Sequence, residues 1–381
     1  MSSNWYGEDM RIGLLGGGQL GRMLLQDAID LNIHLHCLDP DKNAPCAKIA
    51  HSFTVGSLTD YETVLTFGKD KHLISVEIEN VNIEALETLE KAGVKVFPQP
   101  HILRTIKDKG LQKNFYKENN IPTSAFTLIE NKAELLENAH YPIVHKLRTG
   151  GYDGRGVNIL KSVEGAENSF DAPSILEEKV AFVKELSVIV ARNENGETKA
   201  FPAVECEFNP EANLVEFLFA PAEISPEIEA KAEALAVSVI EKLGMVGILA
   251  VELFLCADGT LLVNEIAPRP HNSGHQTIEC NVTSQFAQHL RAILNLPLGS
   301  TEIVQAGAMI NLLGEKGYEG KVHYEGLEKA LEISGVYPHI YGKELTKAFR
   351  KMGHVTIVDN DIELVKSKAK TVQGLIKVVS K

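Results

Sequence analysis

The sequence contains few cysteines, and none of the five lies in a Cys-x-x-Cys pair. Because their number is odd and their spacing matches no zinc motif, neither a disulfide framework nor a zinc site is expected. The chain also lacks long hydrophobic runs. Its most apolar stretch, residues 245–256, is interrupted by Glu252 and is too short to span a bilayer. A cytoplasmic protein without membrane association is therefore expected.

Basic residues are in deficit, with 38 lysines and arginines against 51 acidic residues and a net charge of −13. A nucleic-acid binder that uses a broad basic face is therefore not expected. Anionic small molecules need only a local cluster of cations, so this charge balance does not exclude them. At 381 residues with 44% hydrophobic content, the chain is long enough for two or three globular domains.

Strand-like and helix-like segments alternate through the first part of the chain. Strands are predicted at residues 11–15, 33–38, 72–78 and 94–97, and a helix is predicted at 83–92. Such alternation is typical of an α/β domain with a parallel sheet. One helix is expected from residue 102, and a mixed or antiparallel sheet from about residue 180. The tail, 308–381, is expected to form short strands.

A glycine-rich turn follows the first predicted strand. Residues 16–21 read Gly-Gly-Gly-Gln-Leu-Gly, which matches the GxGxxG pattern of dinucleotide-binding folds. Asp39 follows the second strand, where such folds keep a ribose-binding acid. Any strand–turn–helix unit needs glycines for close packing, so the pattern alone is weak. Phosphate binding, nicotinamide-nucleotide binding and simple close packing all remain open for this turn.

A second glycine-rich segment has the composition of a phosphate-binding loop. Residues 150–156 contain four glycines, whose unshielded N–H groups can curl around phosphate oxygens. Lys146 ends a predicted strand just before this segment, and Arg148 and Arg155 add cations. The alternative is a flexible surface hairpin, although a merely flexible hairpin does not need this density of cations.

Two glutamates interrupt otherwise apolar strands on either side of Asp258-Gly259. Asp-Gly is a strong hairpin signal, and a two-residue turn there places Glu252 directly opposite Glu265. Opposed carboxylates lie ~5 Å apart and repel each other, and a shared divalent cation removes the repulsion. Mg²⁺ is expected, because it prefers carboxylates together with nucleotide phosphates. The alternative is a solvated pair, and Asn264 is a third ligand only if its strand bulges.

Two further segments contain clustered polar and basic residues. Residues 268–275 read Pro-Arg-Pro-His-Asn-Ser-Gly-His, a proline-stiffened run of hydrogen-bond donors directly after the hairpin. The tail supplies Lys343, Arg350 and Lys351, a basic cluster that suits a phosphate monoester. The alternatives are structural histidines in the first segment and a solvated basic face in the second.

Together, these motifs resemble the N5-carboxyaminoimidazole ribonucleotide synthetase family of the ATP-grasp superfamily. The resemblance covers nearly the whole chain and includes Gly-Gln-Leu-Gly-Arg-Met at 18–23, Gly-Gly-Tyr-Asp-Gly-Arg-Gly at 150–156, Asn-Glu-Ile-Ala-Pro-Arg-Pro-His-Asn-Ser-Gly-His at 264–275 and Arg-Lys-Met-Gly-His at 350–354. It implies ATP-dependent carboxylation of 5-aminoimidazole ribonucleotide by bicarbonate, through carboxyphosphate, in purine biosynthesis. It also implies a C–N bond-forming ligase that uses ATP and Mg²⁺, with Mn²⁺ as a substitute, and that forms a homodimer.

The resemblance implies an ATP-grasp fold, mixed α/β and α+β in class, built from four segments. These are a Rossmann-like amino-terminal domain at 1–101, a small or lid subdomain at 102–180, a large subdomain with the metal hairpin at 181–300, and a small β-rich region at 301–381.

Carried over position by position, the resemblance assigns the candidate site residues. It assigns ATP contacts to Lys109, Lys146, Gly150, Gly151, Tyr152, Asp153, Gly154, Arg155, Gly156, Glu177, Glu178, Lys179, Val180, Glu185, Asn264 and Glu265. It assigns Mg²⁺ to Glu252 and Glu265. It assigns the ribonucleotide and bicarbonate to Gln19, Tyr152, Arg269, His271, Asn272, Lys343, Arg350 and Lys351. Of these residues, Asp153, Arg269, His271 and Lys351 are expected to act in the reaction, with Asp153 as the candidate base for the attacking amine.

Other functions predict different uses of the same motifs. A nicotinamide-dependent oxidoreductase would use the first glycine turn, and a non-catalytic nucleotide-binding module would need no paired metal carboxylates. Another ATP-grasp ligase, such as biotin carboxylase or a formate-dependent glycinamide ribonucleotide transformylase, would share the ATP-binding half. Phe208 departs from the family pattern, which usually has a histidine at this position.

Overall fold

The amino-terminal part of the chain forms a parallel sheet with connecting helices, and the computed structural model describes residues 4–151, 156–209 and 214–381. The five strands are β1 (Arg11–Leu15), β2 (His34–Asp39), β3 (Ser52–Val55), β4 (Leu73–Val76) and β5 (Lys95–Val96). Their spatial order is β3-β2-β1-β4-β5. The helices are α1 (Gln19–Asp30), α2 (Tyr61–Gly68) and α3 (Ile83–Lys91). The predicted α/β unit is confirmed.

The parallel arrangement decides which loops of this unit meet. The strands β1, β2 and β4 are almost entirely buried, since helices cover both faces of a doubly wound sheet. Their carboxyl ends lie along one edge, which brings together the glycine turn after β1, Asp39 at the end of β2 and Glu77 directly after β4.

Two helices follow where the sequence predicted one. The helices α4 (Pro100–Lys107) and α5 (Lys109–Glu118) are separated at Asp108, whose φ of −107° and ψ of 108° are extended. The Asp108 carboxylate accepts hydrogen bonds from the N–H groups of Gly110 and Leu111, at 2.7 and 3.2 Å, and so caps α5. The prediction of one continuous helix is therefore wrong, and the break makes Lys109 the first residue of a new helix.

A small antiparallel sheet comes next. Its strands are β6 (Phe126–Ile129), β7 (Ile143–Leu147), β8 (Val157–Leu160) and β9 (Ser174–Glu178), in the order β6-β9-β7-β8. The helices α6 (Lys132–Asn138) and α7 (Val163–Glu167) pack on it and supply Leu135 and Ala166 to a separate hydrophobic cluster. The sheet therefore has a small core of its own.

The rest of the chain is dominated by a nine-stranded antiparallel sheet. Its strands are β10 (Phe182–Arg192), β11 (Thr198–Ala200), β12 (Val204–Asn209), β13 (Leu214–Ala220), β14 (Gly247–Cys256), β15 (Leu261–Ala267), β16 (Ala306–Leu313), β18 (Val336–Ile340) and β20 (Lys351–Asp359). Their order is β15-β14-β10-β12-β13-β16-β20-β18, with β11 paired to β10. The helix α8 (Pro226–Leu243) packs on this sheet through Ala232, Ala236, Val239 and Ile240, which share one helical face.

Short elements complete the carboxy-terminal half. The strands β17 (Gly320–Glu325), β19 (Leu345–Thr346) and β21 (Lys377–Ser380) form a third antiparallel sheet. The helices are α9 (Thr277–Cys280), α10 (Gln285–Ile293), α11 (Leu327–Leu331) and α12 (Ile362–Leu375). A tail of strands alone was therefore a wrong prediction, because α12 buries Val365, Ala369 and Val372 against the sheet. No helix in the described parts of the chain is long and apolar enough to span a membrane.

Two glycines that both have room for a side chain test where α8 and α12 end. Gly244 terminates α8 with φ +63°, whereas Gly374 lies within α12, and a Cβ at either position would meet nothing within 4 Å. We expect Gly244→Ala to destabilise the protein by about 1–2 kcal/mol, because only its left-handed backbone penalises a side chain. Gly374→Ala should instead stabilise it by about 0.5–1 kcal/mol. Urea unfolding midpoints measure both changes, and shifts of the same sign would contradict these helix ends.

Candidate active site

The hairpin of β14 and β15 places Glu252 and Glu265 directly opposite each other, as the sequence predicted. The loop itself differs from the prediction. It has three residues rather than two, since the Cys256 N–H donates to the Thr260 carbonyl at 2.9 Å and Gly259 adopts φ +84°. A bulge at Asn264 adds one residue to β15, where the register shifts, and so restores the opposition of the glutamates.

Lys109 offsets part of the negative charge of this pair. Its ammonium group forms an ion pair with Glu265. Lys109, and then Lys146, lower the pKa of the Glu265 carboxyl against the effect of burial. Burial, followed by the charge of Glu265, raises the pKa of Glu252. The pair alone therefore favours a single negative charge, whereas a bound divalent cation would favour two ionised carboxylates.

A buried glutamate on β9 holds two more lysines beside the hairpin. The Glu177 carboxylate lies 3.3 Å from Lys146 Nζ and 3.2 Å from Lys113 Nζ. Lys146 also donates to the side-chain oxygen of Asn264 at 3.0 Å, which joins the small sheet to the hairpin. Burial lowers the pKa of Lys113 to about 8. Lys113 is a site residue that the motifs did not reveal, although it lies one helical turn after Lys109.

The candidate ATP contacts at residues 177–180 begin at this cluster. The Glu177 side chain contacts the lysines rather than an open pocket, while Glu178 and Lys179 are exposed and Val180 is half-buried. Glu185 lies on β10, opposite Phe254 of β14, and burial raises its pKa to about 7.

Phe208, at the position of the family's usual histidine, is partly buried. It packs against a cluster that includes Val204, Cys206 and Leu218. An apolar contact therefore replaces a hydrogen-bonding side chain at this position.

Arg148 positions Lys109 instead of adding an unpaired cation to the glycine-rich segment. Its guanidinium binds both oxygens of Asp108, at 3.0 and 2.7 Å, and its carbonyl accepts from the Lys109 N–H at 2.8 Å. This bidentate contact fixes the first turn of α5 against the end of β7. The candidate residues Tyr152, Asp153, Gly154 and Arg155 lie outside the described residues.

The described ends of the glycine-rich segment have the backbone that glycine favours. Gly150 and Gly156 adopt φ of +77° and +76°, and the Gly156 carbonyl accepts from the Leu147 N–H at 2.8 Å. Gly151 lies so close to Gly156 that a Cβ on Gly156 would be 3.2 Å from the Gly151 Cα.

The first glycine turn binds carboxylates of its own chain. The Gly17 N–H donates to Asp39 at 2.7 Å, and the N–H groups of Gly18 and Leu20 donate to Glu77 at 2.7 and 3.1 Å. These amides are therefore already satisfied, and Asp39 serves the turn rather than a dinucleotide ribose. Glu77 was missed by the motifs, although its position after a buried parallel strand was a signal.

The segment 269–275, which follows the hairpin, contacts glutamates from two different parts of the chain. Arg269 Nε lies 2.9 Å from a Glu79 carboxylate oxygen, and His271 Nε2 lies 3.6 Å from Glu252. Asn272 exchanges two side-chain hydrogen bonds with Asn311 of β16, at 2.8 and 3.0 Å. The side chain of Asn272 thus attaches this segment to the large sheet.

Stacked histidines bring the tail close to the segment 269–275. The His275 ring lies 4.7 Å from that of His354 on β20, and the His354 ring lies 4.4 Å from that of His339 on β18. Lys351, the first residue of β20, is therefore near the segment 269–275. Lys343 Nζ donates to the Lys351 carbonyl at 2.7 Å, and Arg350 donates to the Leu345 carbonyl at 2.6 Å.

The candidate residue Gln19 is distant in sequence but begins α1 at the edge where the first glycine turn lies. The tail also approaches this helix, since a Cβ on Gly342 would lie 3.5 Å from Arg22 Nη1. The first turn of α1 and the tail therefore border the same region.

Three family models match consecutive parts of the chain. The ribonucleotide synthetase pre-ATP-grasp domain matches residues 9–107, the ATP-grasp domain matches 114–286, and the phosphoribosylaminoimidazole carboxylase C-terminal domain matches 307–368. The N5-carboxyaminoimidazole ribonucleotide synthase of Bacillus subtilis is 37% identical over 356 residues, which cover 91% of each protein. The chloroplastic phosphoribosylaminoimidazole carboxylase of Vigna aconitifolia is 38% identical over 93% of this chain, which spans only 65% of that relative.

Solved structures give the same result. The N5-carboxyaminoimidazole ribonucleotide synthetase from Thermotoga maritima has 42% identity and a TM-score of 0.91, with 98% of this chain and 100% of that chain covered. The Aspergillus clavatus N5-carboxyaminoimidazole synthase in complex with ADP and 5-aminoimidazole ribonucleotide has 32% identity and a TM-score of 0.88, with 98% and 99% covered. The chain has the ATP-grasp fold with a pre-ATP-grasp domain and a carboxy-terminal region, and it belongs to the N5-carboxyaminoimidazole ribonucleotide synthetase family.

Proposed function

We propose that the chain joins 5-aminoimidazole ribonucleotide to bicarbonate, with hydrolysis of ATP to ADP and phosphate, in purine biosynthesis. The observation that carries this proposal is the pair Glu252 and Glu265, flanked by lysines on one side and by the segment 269–275 on the other. The names of the relatives support it, as does the Aspergillus clavatus complex with ADP and the ribonucleotide.

The nucleotide half would use the lysines and the hairpin. The oxygen donors of Glu252, Glu265 and Asn264 suit Mg²⁺, with Mn²⁺ as a substitute, and their opposed register leaves a repulsion that a cation would relieve. When bound, Mg²⁺ would neutralise charge on the transferring phosphoryl group. Lys109 and Lys146 would bind ATP phosphates beside it. The loop 150–156 would cover those phosphates, and residues 177–180 with Glu185 would bind the nucleoside.

The substrate half would use the cations at the tail. Lys343, Arg350 and Lys351 suit the ribonucleotide phosphate, because three cations near one dianion give charge-assisted contacts. Arg269 and His271 would position bicarbonate next to the metal carboxylates. Gln19, Tyr152 and Asn272 complete the ribonucleotide site that the resemblance assigns.

The reaction would proceed in two transfers. A bicarbonate oxygen would attack the γ-phosphorus of ATP, which forms carboxyphosphate and releases ADP. The exocyclic amine of the ribonucleotide would then attack the carboxyl carbon, or CO₂ released from carboxyphosphate, with phosphate as the leaving group. Asp153 would accept the amine proton. Because the reactants are anions, the cations would act mainly by electrostatic stabilisation and positioning.

The same proposal includes the organisation and location of the protein. The domain boundaries are proposed at 101, 180 and 300. The first two follow the parallel sheet and the small antiparallel sheet, whereas residue 300 lies between β15 and β16 of the nine-stranded sheet. All five cysteines are free, which suits the reducing cytoplasm. The homodimer is proposed on the resemblance alone.

Phosphate release tests the proposed reaction. With Mg²⁺ and ATP present, we expect release to be strongly stimulated by 5-aminoimidazole ribonucleotide and to depend on bicarbonate. Equal release without the ribonucleotide would contradict the proposal. Stimulation by biotin or by glycinamide ribonucleotide with formate would instead indicate another ATP-grasp ligase. NADH oxidation under the same conditions would indicate an oxidoreductase.

Replacement of Lys351 by alanine tests the role of the tail. The change removes a charge-assisted contact worth ~1.5–3 kcal/mol, so the Kd for the ribonucleotide should rise by roughly ten- to a hundredfold. The Kd for ATP should stay unchanged, because the lysines at the hairpin are untouched. Lys347→Ala, in the exposed turn before Lys351, is the matched control. Titration calorimetry measures each ligand, and weaker ATP binding with intact ribonucleotide binding would contradict this placement.

A further inference from the structure

A group of histidines and one glutamate lies at the amino end of β2, away from the candidate active site. His34 and His36 alternate with Leu35 on the strand, so they share one face. His51 precedes β3, and its ring stacks on His34 at 4.2 Å and meets the edge of His36 at 5.0 Å. Glu8 approaches from the turn Gly7–Asp9.

Three of these side chains bring possible metal-ligand atoms close together. Glu8, His34 and His51 each offer a ligand atom, and these atoms all lie within 4.8 Å of one another. Ligand atoms around a tetrahedral zinc ion are separated by roughly 3.4 Å, from Zn–N distances near 2.1 Å. The Glu8 oxygen and His34 Nδ1 are already 3.7 Å apart. The rings of His34 and His51 stack at an angle of only 9°, so one ring must turn out of the stack before both nitrogens can face the same ion.

One nitrogen of this group, His34 Nδ1, lacks a hydrogen bond. The separation of 3.7 Å between Glu8 and His34 Nδ1 is too long for a hydrogen bond. His34 Nδ1 is buried and, among the described residues, has no hydrogen-bond partner. A polar nitrogen in that position costs free energy unless a ligand binds it.

The surrounding structure anchors the backbone segments that carry the ligands. The Gly7 N–H donates to the Asn32 carbonyl at 2.8 Å, and Trp5 and Met10 pack on the core, so Glu8 lies on an anchored turn. The His51 N–H donates to the Leu35 carbonyl at 3.0 Å. The backbone thus attaches the Glu8 segment to Asn32, just before β2, and the His51 segment to β2 itself.

His36 borders the group without being one of the three ligands. Its Nδ1 lies 2.7 Å from the Ser52 hydroxyl oxygen, which already gives that nitrogen a partner. The nearby cation Lys71 is paired with Asp70.

We propose that Glu8, His34 and His51 form a zinc site, separate from the Mg²⁺ hairpin. Two imidazoles and one carboxylate are ligands that Zn²⁺ prefers, with water in the fourth position. The set suits Mg²⁺ poorly, because that ion prefers oxygen ligands. The two sites therefore select different metals.

The position of the site indicates a structural role. His34 and Asp39 are the first and last of the six residues of β2, and Asp39 lies at the active-site edge. A strand of this length spans roughly 15–20 Å. Zinc bound there would not contact substrates. It would tie the segment before β1 to the start of β2 and β3, and so stabilise the amino-terminal sheet.

Zinc titration of the whole chain tests the site. The protein is stripped with EDTA, supplied with excess Mg²⁺ to fill the hairpin, and titrated with Zn²⁺ in a calorimeter. We expect about one equivalent to bind and to raise the Tm. His51→Ala should weaken binding at least about tenfold, and Glu8→Gln should weaken it as well. His101→Ala, which removes an exposed histidine on α4, should leave it unchanged. ATP turnover should be unchanged in His51→Ala.

A cobalt spectrum identifies the ligands independently of affinity. Co²⁺ bound by this group should give visible bands without thiolate charge-transfer absorption, and His51→Ala should abolish them while circular dichroism shows the native fold. Equal Zn²⁺ affinity in the wild type and His51→Ala would overturn the proposal. Thiolate absorption would do so too, since it would place the metal on cysteines.

Discussion

The repulsion between two carboxylates that face each other across one hairpin is the constraint on which the rest of the site depends. Glu252 and Glu265 occupy opposed positions in strands that are otherwise apolar, and such a pair is unfavourable without nearby positive charge. Lys109 and Lys146 supply that charge from two other elements, α5 and β7. The hairpin therefore holds together parts of the chain that are more than a hundred residues apart.

The lysines are themselves held by carboxylates, so the charges alternate outward from the hairpin. Glu177 binds Lys146, and Asp108 binds Arg148, whose carbonyl fixes the start of α5 at Lys109. Each lysine is partly neutralised before any ligand arrives. When phosphates and a metal bind, the cations exchange one anionic partner for another, which needs less reorganisation than recruiting charges from solvent. The network thus preorganises the nucleotide half of the site.

Local signals in the sequence were enough for the parallel sheet, but not for the local geometry that places Glu252 opposite Glu265. The opposition was predicted from a two-residue turn, yet it results from a longer turn and a bulge at Asn264 that cancel. The Asp258-Gly259 pair did not reveal the third loop residue, and the sequence raised the bulge at Asn264 only as a condition for metal binding. The role of Glu77 was also hidden, since a contact across 59 residues satisfies the glycine turn. The role of this glycine turn, which the motifs alone left open, was therefore decided by a long-range polar contact.

The metal affinity and metal-free stability of two isosteric variants test the central claim most directly. Glu252→Gln and Glu265→Gln should each weaken Mn²⁺ binding, measured by electron paramagnetic resonance, because each removes one ligand charge. Their metal-free Tm values should shift in opposite directions. Glu252→Gln should raise the Tm by removing repulsion, whereas Glu265→Gln should lower it by leaving Lys109 without its carboxylate partner. Wild-type Mn²⁺ affinity in both variants would contradict a metal site at the opposed glutamates.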